Sequence, residues 1–460
     1  MKIIFILTQV TFDFKHKMPK NKIFLLFYGS YMEIYQVCGN VSFMYGFLKG
    51  RLLLVRLCLL ASVLILIGIG IATIYSVGHP AEHSPDLESQ DEDLSNLWEK
   101  QVMFAVFGFA GFIVINLINY RRLGSMSYWL YAGVLVLLVL LLVSKYVVVL
   151  PFAKPIHGTY RWISISVAGR QLPSLQPSEL CKLAYILALS WYLRYRSNYR
   201  NFKALIGPFA LALIPMVLIL LEPNLGTVLL MMPILFTMLF VAGAKVKHLL
   251  IIILMAVIIS PLLWFKMENY QRIRISSVVL QNAWIREKAE RHPMLGKILV
   301  GTEFSEKNWK SDWGWHLIRS KYAVASGGVK GYGFRQGPFV KYNFLTERHN
   351  DFIFAIIAQQ WGFWGCLGLL GLYIIIASCG LEIATNNTDP FGRLLATGIV
   401  AMFVVEVIVN VGMTVGLMPI TGLTLPFVSY GGSSLLVSMV SVGLLNNIGR
   451  CRPFTVARKT

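Results

Sequence analysis

Residues 52–76 read LLLVRLCLLASVLILIGIGIATIYS, an almost unbroken apolar run. A helix needs about 20 such residues to cross the hydrocarbon core of a bilayer. Further apolar runs follow at 101–119, 128–144, 178–194, 204–221, 226–243, 249–265, 352–378, 394–415 and 432–448. The sequence therefore predicts an all-α integral membrane protein with about ten transmembrane helices.

The composition of the 460-residue chain supports this class. Hydrophobic residues make up 56% and charged residues 14%, whereas soluble domains average about 45–50% apolar and about 25% charged residues. The mean hydropathy is +0.63. A soluble protein of this composition would expose large apolar patches and aggregate. Soluble, disordered, coiled-coil and collagen-like classes are thereby excluded.

The distribution of charge predicts the orientation. The chain carries 42 Lys and Arg against 22 Asp and Glu, a net charge of +20. Short cytoplasmic loops collect Lys and Arg. On the side that holds both termini the short loops and the C-terminal tail have 13 of them, against five in the short loops on the other side. Both termini are therefore predicted to be cytoplasmic. The first explanation of the excess positive charge is topology, and the second is an anionic ligand outside the membrane. No nucleic acid partner is therefore predicted.

Three regions follow from this map. Residues 1–50 are predicted to be a cytoplasmic extension, with a mis-called start as the alternative because Met44 precedes the first span. Residues 51–450 form the membrane domain, and residues 451–460 a basic cytoplasmic tail. One long extracytoplasmic loop, 266–350, lies between helices 7 and 8. It is basic, which is compatible with this orientation because long loops escape the positive-inside rule.

Polar motifs cluster at the predicted outer ends of the spans. Residues 176–182 read QPSELCK, where Pro177 and Glu179 suit a helix start. Glu179 and Lys182 are three residues apart and can pair on one helix face. A plain ion pair and a functional role both remain open. Upstream, Arg161 and Trp162 place a cation beside an interfacial aromatic residue.

Four further motifs occupy the same side of the membrane. Residues 222–227 read EPNLGT, a tight turn, and residues 326–333 read SGGVKGYG, which lacks the spacing of a phosphate loop. Residues 345–354 read LTERHNDFIF, in which Asn350 or Asp351 either caps the eighth helix or takes part in catalysis. Residues 419–434, PITGLTLPFVSYGGSS, are irregular backbone at membrane depth, which is tolerated where it lines a cavity or packs inside protein.

The residues alone indicate an outer cavity beneath a cationic loop. Cations there would hold a phosphate, and a carboxylate at a helix start could act as general base. Glu406 lies mid-span with Asn410 one turn later. For Glu406, a proton or ion relay and a buried structural carboxyl both remain open. The arrangement suits an anionic, lipid-linked substrate that is presented from the outer leaflet.

These motifs, in this order and spacing, resemble those of the SEDS family, the shape, elongation, division and sporulation proteins of the bacterial cell wall. The matching patterns are RWI, QPSELxK, EPNLGT, SGGxxGxG, FLxERHxDFIF and PxTGxxLPFxSYGGSS, and the resemblance covers roughly residues 50–450. It implies a multi-pass protein of the bacterial cytoplasmic membrane. The elongation branch is the closer match, and the division branch is the second choice because of residues 421–434.

The resemblance implies a peptidoglycan glycosyltransferase that polymerises lipid II during cell elongation. A glycan on undecaprenyl pyrophosphate would react with the sugar hydroxyl of lipid II to form a β-1,4 bond with inversion. The family's essential aspartate matches Asp351, the catalytic residue. The predicted substrate-binding residues are Arg161, Trp162, Glu179, Lys182, Lys321, Arg348 and His349.

The resemblance also bears on cofactors and partners. No metal ligands are predicted, although a divalent cation is compatible with the chemistry. A single-span class B penicillin-binding protein, a transpeptidase, is the implied partner. Three departures from the family pattern are a Gln359–Gln360 pair in place of two glutamates, extra sequence at about 282–312, and Asn350 where Thr is common. A lipid II flippase and a scaffold without chemistry are the competing functions.

Overall fold

The computed structural model describes residues 52–81, 94–147, 150, 152–153, 159–164, 166–167, 170–171, 174–195, 202–342, 344–345 and 347–451. The predicted extension 1–50 and residues 452–460 of the predicted tail lie outside these ranges. Within the described ranges the regular secondary structure is helical apart from an antiparallel hairpin of β1 (Ser166–Val167) and β2 (Arg170–Gln171) and an isolated β-bridge between Ile163 and Leu175. The predicted all-α membrane class is confirmed.

Ten helices correspond to the predicted spans. They are α1 (Leu53–Gly78), α2 (Leu97–Leu117), α3 (Tyr120–Tyr146), α4 (Pro177–Leu193), α5 (Ile206–Leu221), α6 (Leu225–Val241), α7 (Val246–Lys266), α12 (Ile353–Thr385), α13 (Pro390–Thr414) and α14 (Gly432–Arg450). A 3₁₀ turn, Phe202–Leu205, leads into α5. Eight of the ten are long and apolar enough to cross a membrane, whereas α4 and α6 have 17 residues each. The number of crossings and their orientation stay predictions.

The predicted loop 266–350 is largely helical. It contains α8 (Asn269–Val279), α9 (Ala283–Arg291), α10 (Pro293–Val300) and α11 (Trp315–Gly327), with short turns at Glu306–Asn308, Trp309–Trp313 and Pro338–Lys341. A small core of its own, built from Leu280, Ala289, Val300, Phe304 and Trp309, stabilises this segment. The segment is therefore a folded element and not an open loop.

Helices α4, α13 and α14 form the centre of the membrane domain. Most residues of α4 are buried, and 78% and 83% of the apolar windows of α13 and α14 are buried inside the protein. Helix α13 packs against α12, α6 and α4, and α14 packs along α2. Helix α7 is the opposite case, because only 6% of its window is buried. Its surface is left to lipid or to a ligand.

The glycine-rich motif 326–333 serves backbone packing. A side chain at Gly331 would meet the carbonyl oxygen of Gln360 at 2.2 Å, and one at Gly362 would meet the amide nitrogen of Gly331 at 2.5 Å. Gly362 adopts a φ of +63° inside α12, and the amide of Tyr332 donates to the carbonyl of Gln359 (3.0 Å). The motif therefore fixes the end of α11 against the first turns of α12.

This contact predicts that Gly362→Ala destabilises the protein. The left-handed backbone and the clash with Gly331 together should cost about 1–3 kcal/mol. The matched control is Gly371→Ala in the same helix, where an added methyl group meets nothing within 4 Å. Thermal unfolding in detergent should show a lower melting temperature for Gly362→Ala alone. Equal melting temperatures of the two variants would contradict this account of the contact.

Candidate active site

A buried ion triad joins the first turns of α4 to the interior of α13. The Nζ of Lys182 on α4 lies 2.8 Å from Oε2 of Glu179 and 2.5 Å from Oε1 of Glu406 on α13. The three side chains are at most 8% exposed. Charges withdrawn from water need such partners, because a single buried charge costs several kcal/mol. The predicted Glu179–Lys182 pair is confirmed, and Glu406 is its third member.

Asn410 connects this triad to Asp351. It follows Glu406 by one helical turn, and its Nδ2 donates to the backbone oxygens of Asp351 (3.1 Å) and Leu423 (2.7 Å). Gly422 lies next to the carboxylate, since an added Cβ there would lie 3.5 Å from Oδ2 of Asp351. Helix α13 thereby fixes both Asp351 and the irregular segment 419–434 that faces it.

The side chain of Asp351 does not cap the eighth predicted span. Helix α12 begins at Ile353 with Phe352 as its N-cap residue, and no side chain caps it. Residue Asp351 is partly exposed. Removal from water raises the pKa of Asp351 to about 7; the carboxylate of Glu347 raises it further, and the guanidinium of Arg274 lowers it. Such a group changes its protonation state near neutral pH, as a general base should.

The turn before Asp351 is held from both sides. The amide of Phe352 donates to the carbonyl of Glu347 (3.2 Å), and the carbonyl of His349 accepts from the amide of Tyr430 (3.0 Å). Ser429 donates through Oγ to the carbonyl of Asn350 (2.8 Å). The backbone at Asp351 is therefore positioned by residues of the 419–434 segment.

The surroundings of Arg348 and His349, two of the predicted substrate-binding residues, differ from those expected of groups that bind a phosphate. Arg348 is 1% exposed, and its guanidinium donates to the carbonyls of Phe339 (3.2 Å) and Val340 (3.0 Å). These contacts fit a positioning role. Burial lowers the pKa of His349, which favours the neutral ring at neutral pH. Their roles in substrate binding stay predictions.

Arg161 organises a second part of the site. Its Nε donates to the carbonyl of Glu222 (2.8 Å), and its NH2 group donates to the carbonyl of Pro223. Burial lowers the pKa of Arg161, and the nearby Arg274 lowers it further. Trp162, beside Arg161, is partly exposed. The arginine thus holds the EPNLGT turn from outside while it lies close to a second cation.

The EPNLGT turn joins the other motifs. Asn224 donates through Nδ2 to Oγ of Ser178 (3.2 Å), and a side chain at Gly226 would meet the carbonyl of Thr421 at 2.6 Å. Glu222 is 1% exposed, and burial raises its pKa to about 8, although Arg161 and Lys145 oppose the shift. Sequence reasoning treated this residue only as part of a turn. Its signal was a carboxylate at the end of an apolar run.

Lys321 lies at the outer edge of the molecule. It is exposed on α11 and donates through Nζ to Oε1 of Gln281 (2.9 Å). Gln281 in turn donates to the carbonyl of Gly416 (2.7 Å). The described side chains contain no group of three or more His, Cys, Asp and Glu that could hold a metal ion. A requirement for a divalent cation stays untested.

One site residue was missed altogether. Gln101 of α2 is fully buried; its Nε2 donates to the carbonyl of Ser429 (3.2 Å), and its Oε1 accepts from the amide of Gly431 (3.3 Å). A glutamine inside an apolar run was the available signal, because polar groups at membrane depth mark function or a fixed partner. Gln101 therefore fixes the 419–434 segment from the side of α2.

Comparison with known proteins now identifies the group to which this arrangement belongs. A family described as "Cell cycle protein", which unites FtsW, RodA and SpoVE proteins, matches residues 56–452. The chain belongs to this family. The peptidoglycan glycosyltransferase RodA of Treponema pallidum is 30% identical over 437 residues, covering 85% of this chain and 96% of that protein. A probable peptidoglycan glycosyltransferase FtsW of Trichlorobacter lovleyi is 31% identical over 397 residues, covering 85% and 92%.

Solved structures share the fold of this FtsW/RodA/SpoVE protein. A chain of a peptidoglycan synthase complex, described under "Structural coordination of polymerization and crosslinking", aligns with a TM-score of 0.62 at 28% identity and covers 85% of this chain and 96% of its own. The rod shape determining protein RodA of Thermus thermophilus aligns with a TM-score of 0.54 at 27% identity, covering 85% and 95%. The chain is therefore a multi-pass membrane protein with the RodA-like fold.

The triad predicts a large effect of Lys182→Met. The substitution leaves two buried carboxylates without their cation, which should cost about 3–5 kcal/mol. Adding Glu179→Gln and Glu406→Gln removes the unpaired charges and should restore most of the stability. Thermal unfolding in detergent compares the single and triple variants. A single variant as stable as the wild type would show that the triad does not hold α4 to α13.

Proposed function

We propose that this protein polymerises lipid II into β-1,4 glycan strands at the outer face of the bacterial cytoplasmic membrane. The observation that carries the proposal is Asp351, a partly exposed residue whose carboxyl pKa is raised to about 7 by removal from water. The QPSEL, EPNLGT and 419–434 motifs are fixed around it by mutual hydrogen bonds. Relatives named as peptidoglycan glycosyltransferases, RodA and FtsW, support the same activity.

The reaction is a single displacement in which Asp351 is the general base. Its carboxylate accepts the proton of the 4-hydroxyl of the lipid II sugar. That oxygen forms a bond with the anomeric carbon of the donor strand while the bond from this carbon to the pyrophosphate oxygen breaks. Undecaprenyl pyrophosphate leaves with the electron pair, and the anomeric configuration inverts. General base catalysis of this kind contributes about 10²–10⁴ to a rate.

The cations that oppose the leaving charge are Arg161 and Arg274. The two guanidinium groups are close enough for Arg274 to lower the pKa of Arg161, and Arg274 also lowers the pKa of Asp351. Both are partly exposed. A phosphate between them would receive strong charge-assisted hydrogen bonds. Lys182 contributes only indirectly, because its ammonium group is paired with Glu179 and Glu406.

An apolar groove suits the polyprenyl chain of such a substrate. It has a volume of about 360 Å³ and lies between α5, α6 and the weakly packed α7, with Phe209, Phe236, Ile253 and Val257 among its lining. Helix α6 also packs against α13, which carries Glu406 and Asn410. A lipid tail in the groove would therefore be separated by α6 from α13, the helix that positions Asp351.

The partner and cellular role follow from the same relatives. The chain aligns with a subunit of a peptidoglycan synthase complex that couples polymerisation and crosslinking. A class B penicillin-binding protein is the proposed partner, and cell elongation is the proposed process, because a RodA protein matches over 96% of its length. The division role of FtsW is the alternative within the same chemistry.

The first prediction of this proposal concerns Asp351→Asn. In lipid, with lipid II and a class B partner, the wild type should form glycan polymer that resolves on a gel. Asp351→Asn should reduce the rate about 10²–10⁴-fold because the base is lost. The control is Glu347→Gln. It removes a nearby carboxylate that takes no part in the reaction, so polymerisation should be retained.

Two results would contradict the proposal. Polymer formation by Asp351→Asn at the wild-type rate would remove Asp351 from the chemistry. Absence of polymer from folded wild-type protein with its partner would favour a lipid II flippase or a scaffold.

The second prediction concerns pH. The base must be unprotonated, so the rate should be low under acidic conditions and rise with a midpoint near the raised pKa of Asp351, about 7. Glu347→Gln should move this midpoint to lower pH, because Glu347 raises the pKa of Asp351. The measurement is kcat/KM against pH. A rate independent of pH between 5 and 8 (roughly the window in which such a base titrates) would contradict this role.

A further inference from the structure

Within the folded segment 266–350, one face of α11 lines a surface cavity. Trp315, Ile318, Arg319 and Tyr322 follow each other at helical spacing and share that face. With Lys310 and Phe344 they line a cavity of about 440 Å³. This volume falls in the range of small-molecule sites, about 300–1,000 Å³. Other side chains of α11 pack against α12.

The open face carries aromatic rings in a fixed arrangement. The guanidinium carbon of Arg319 lies 3.4 Å from the ring centroid of Trp315 and 4.9 Å from that of Phe344. Arg319 also donates to the carbonyl of Phe344 (2.7 Å). Tyr322 is 64% exposed and Phe344 is 40% exposed. Flat apolar faces next to anchored hydrogen-bond donors suit the C–H faces and hydroxyl groups of sugar rings.

A second, more polar cavity adjoins the first. It has a volume of about 380 Å³, shares Lys310, Ile318 and Tyr322 with it, and adds Lys321 and Arg286. Lys310 and Arg286 pair with Glu306. Among the ion pairs of the described residues, none includes Arg319 or Lys321. These two cations are available for carboxylates of a ligand.

The two cavities lie one helix away from Asp351. His316, next to Trp315 in the chain, stacks on Phe352 with ring centroids 6.2 Å apart, and Phe352 follows Asp351. Ser320 donates through Oγ to the carbonyl of Thr414 at the end of α13 (3.0 Å). These contacts fix α11 with one side near Asp351 and with its aromatic face on another side.

We propose that this aromatic and cationic groove binds the glycan strand that has already been polymerised. The inference rests on the proposed function, because a strand whose reducing end is activated at Asp351 must extend away from it. The sugar rings lie on Trp315, Tyr322 and Phe344, and the carboxylates of the stem peptides face Arg319 and Lys321. A strand held in this way remains in place for the next addition, so the groove sets product length.

Binding is measured with the full-length protein carrying Asp351→Asn, so that no turnover occurs. The probe is a soluble, lipid-free peptidoglycan strand with a fluorescent label, followed by anisotropy. Tyr322→Ala in this background should raise Kd about three- to tenfold, the effect of one lost aromatic contact. Arg319→Gln should weaken binding of strands with stem peptides more than binding of strands from which the peptides have been removed. The matched control is Trp284→Ala, an aromatic residue that is 62% exposed on α9 and should bind like the parent.

The second readout is product length with Asp351 intact. Tyr322→Ala should shift the polymer to shorter strands, whereas Trp284→Ala should not. No binding of the soluble strand by the parent, or equal Kd values and product lengths for Tyr322→Ala and Trp284→Ala, would overturn the proposal. Normal strand binding by Tyr322→Ala together with weaker binding of a class B penicillin-binding protein would also overturn it and make the groove a protein interface. Failure of the polymerase function appears separately, as the absence of polymer from the folded wild-type protein with its partner.

Discussion

The arrangement of the central helices depends on one buried cation, Lys182, between the carboxylates of Glu179 and Glu406. None of the three can be separated from the others without leaving a charge in a medium of low polarity. Because Lys182 is on α4 and Glu406 is on α13, the triad fixes the relative depth of the two central helices. Asn410, one turn beyond Glu406, then fixes the backbone of Asp351.

Around this centre, irregular backbone is stabilised by other irregular backbone. Segments at membrane depth must satisfy their amides and carbonyls inside the protein. Ser429 does so for Asn350, Gln101 does so for Ser429 and Gly431, and Arg161 does so for the EPNLGT turn. Residue Asp351 is partly exposed, and its carboxylate lies next to Gly422. The site is thus built from non-helical backbone whose amides and carbonyls are paired inside the protein.

Patterns of local origin were readable from the sequence. Apolar runs predicted the membrane helices because hydrocarbon thickness sets their length, and the spacing of Glu179 and Lys182 predicted their pair. The contact between Lys182 and Glu406 was not predictable in this way, because it joins residues 224 positions apart. The inward direction of Arg348 and the helical fold of residues 266–350 also depend on tertiary packing. The glycine-rich motif 326–333 is a third case, since its role appears only when α12 lies against it.

The most direct test of the account is a structure of the Asp351→Asn protein with lipid II bound in the acceptor position. The substitution keeps the shape of the side chain while it removes the base, so the complex should not react. The 4-hydroxyl oxygen of the acceptor sugar is expected to lie within about 2.6–3.2 Å of the side chain at position 351. An acceptor whose 4-hydroxyl is turned away from position 351, with another carboxylate within that distance, would contradict the central claim.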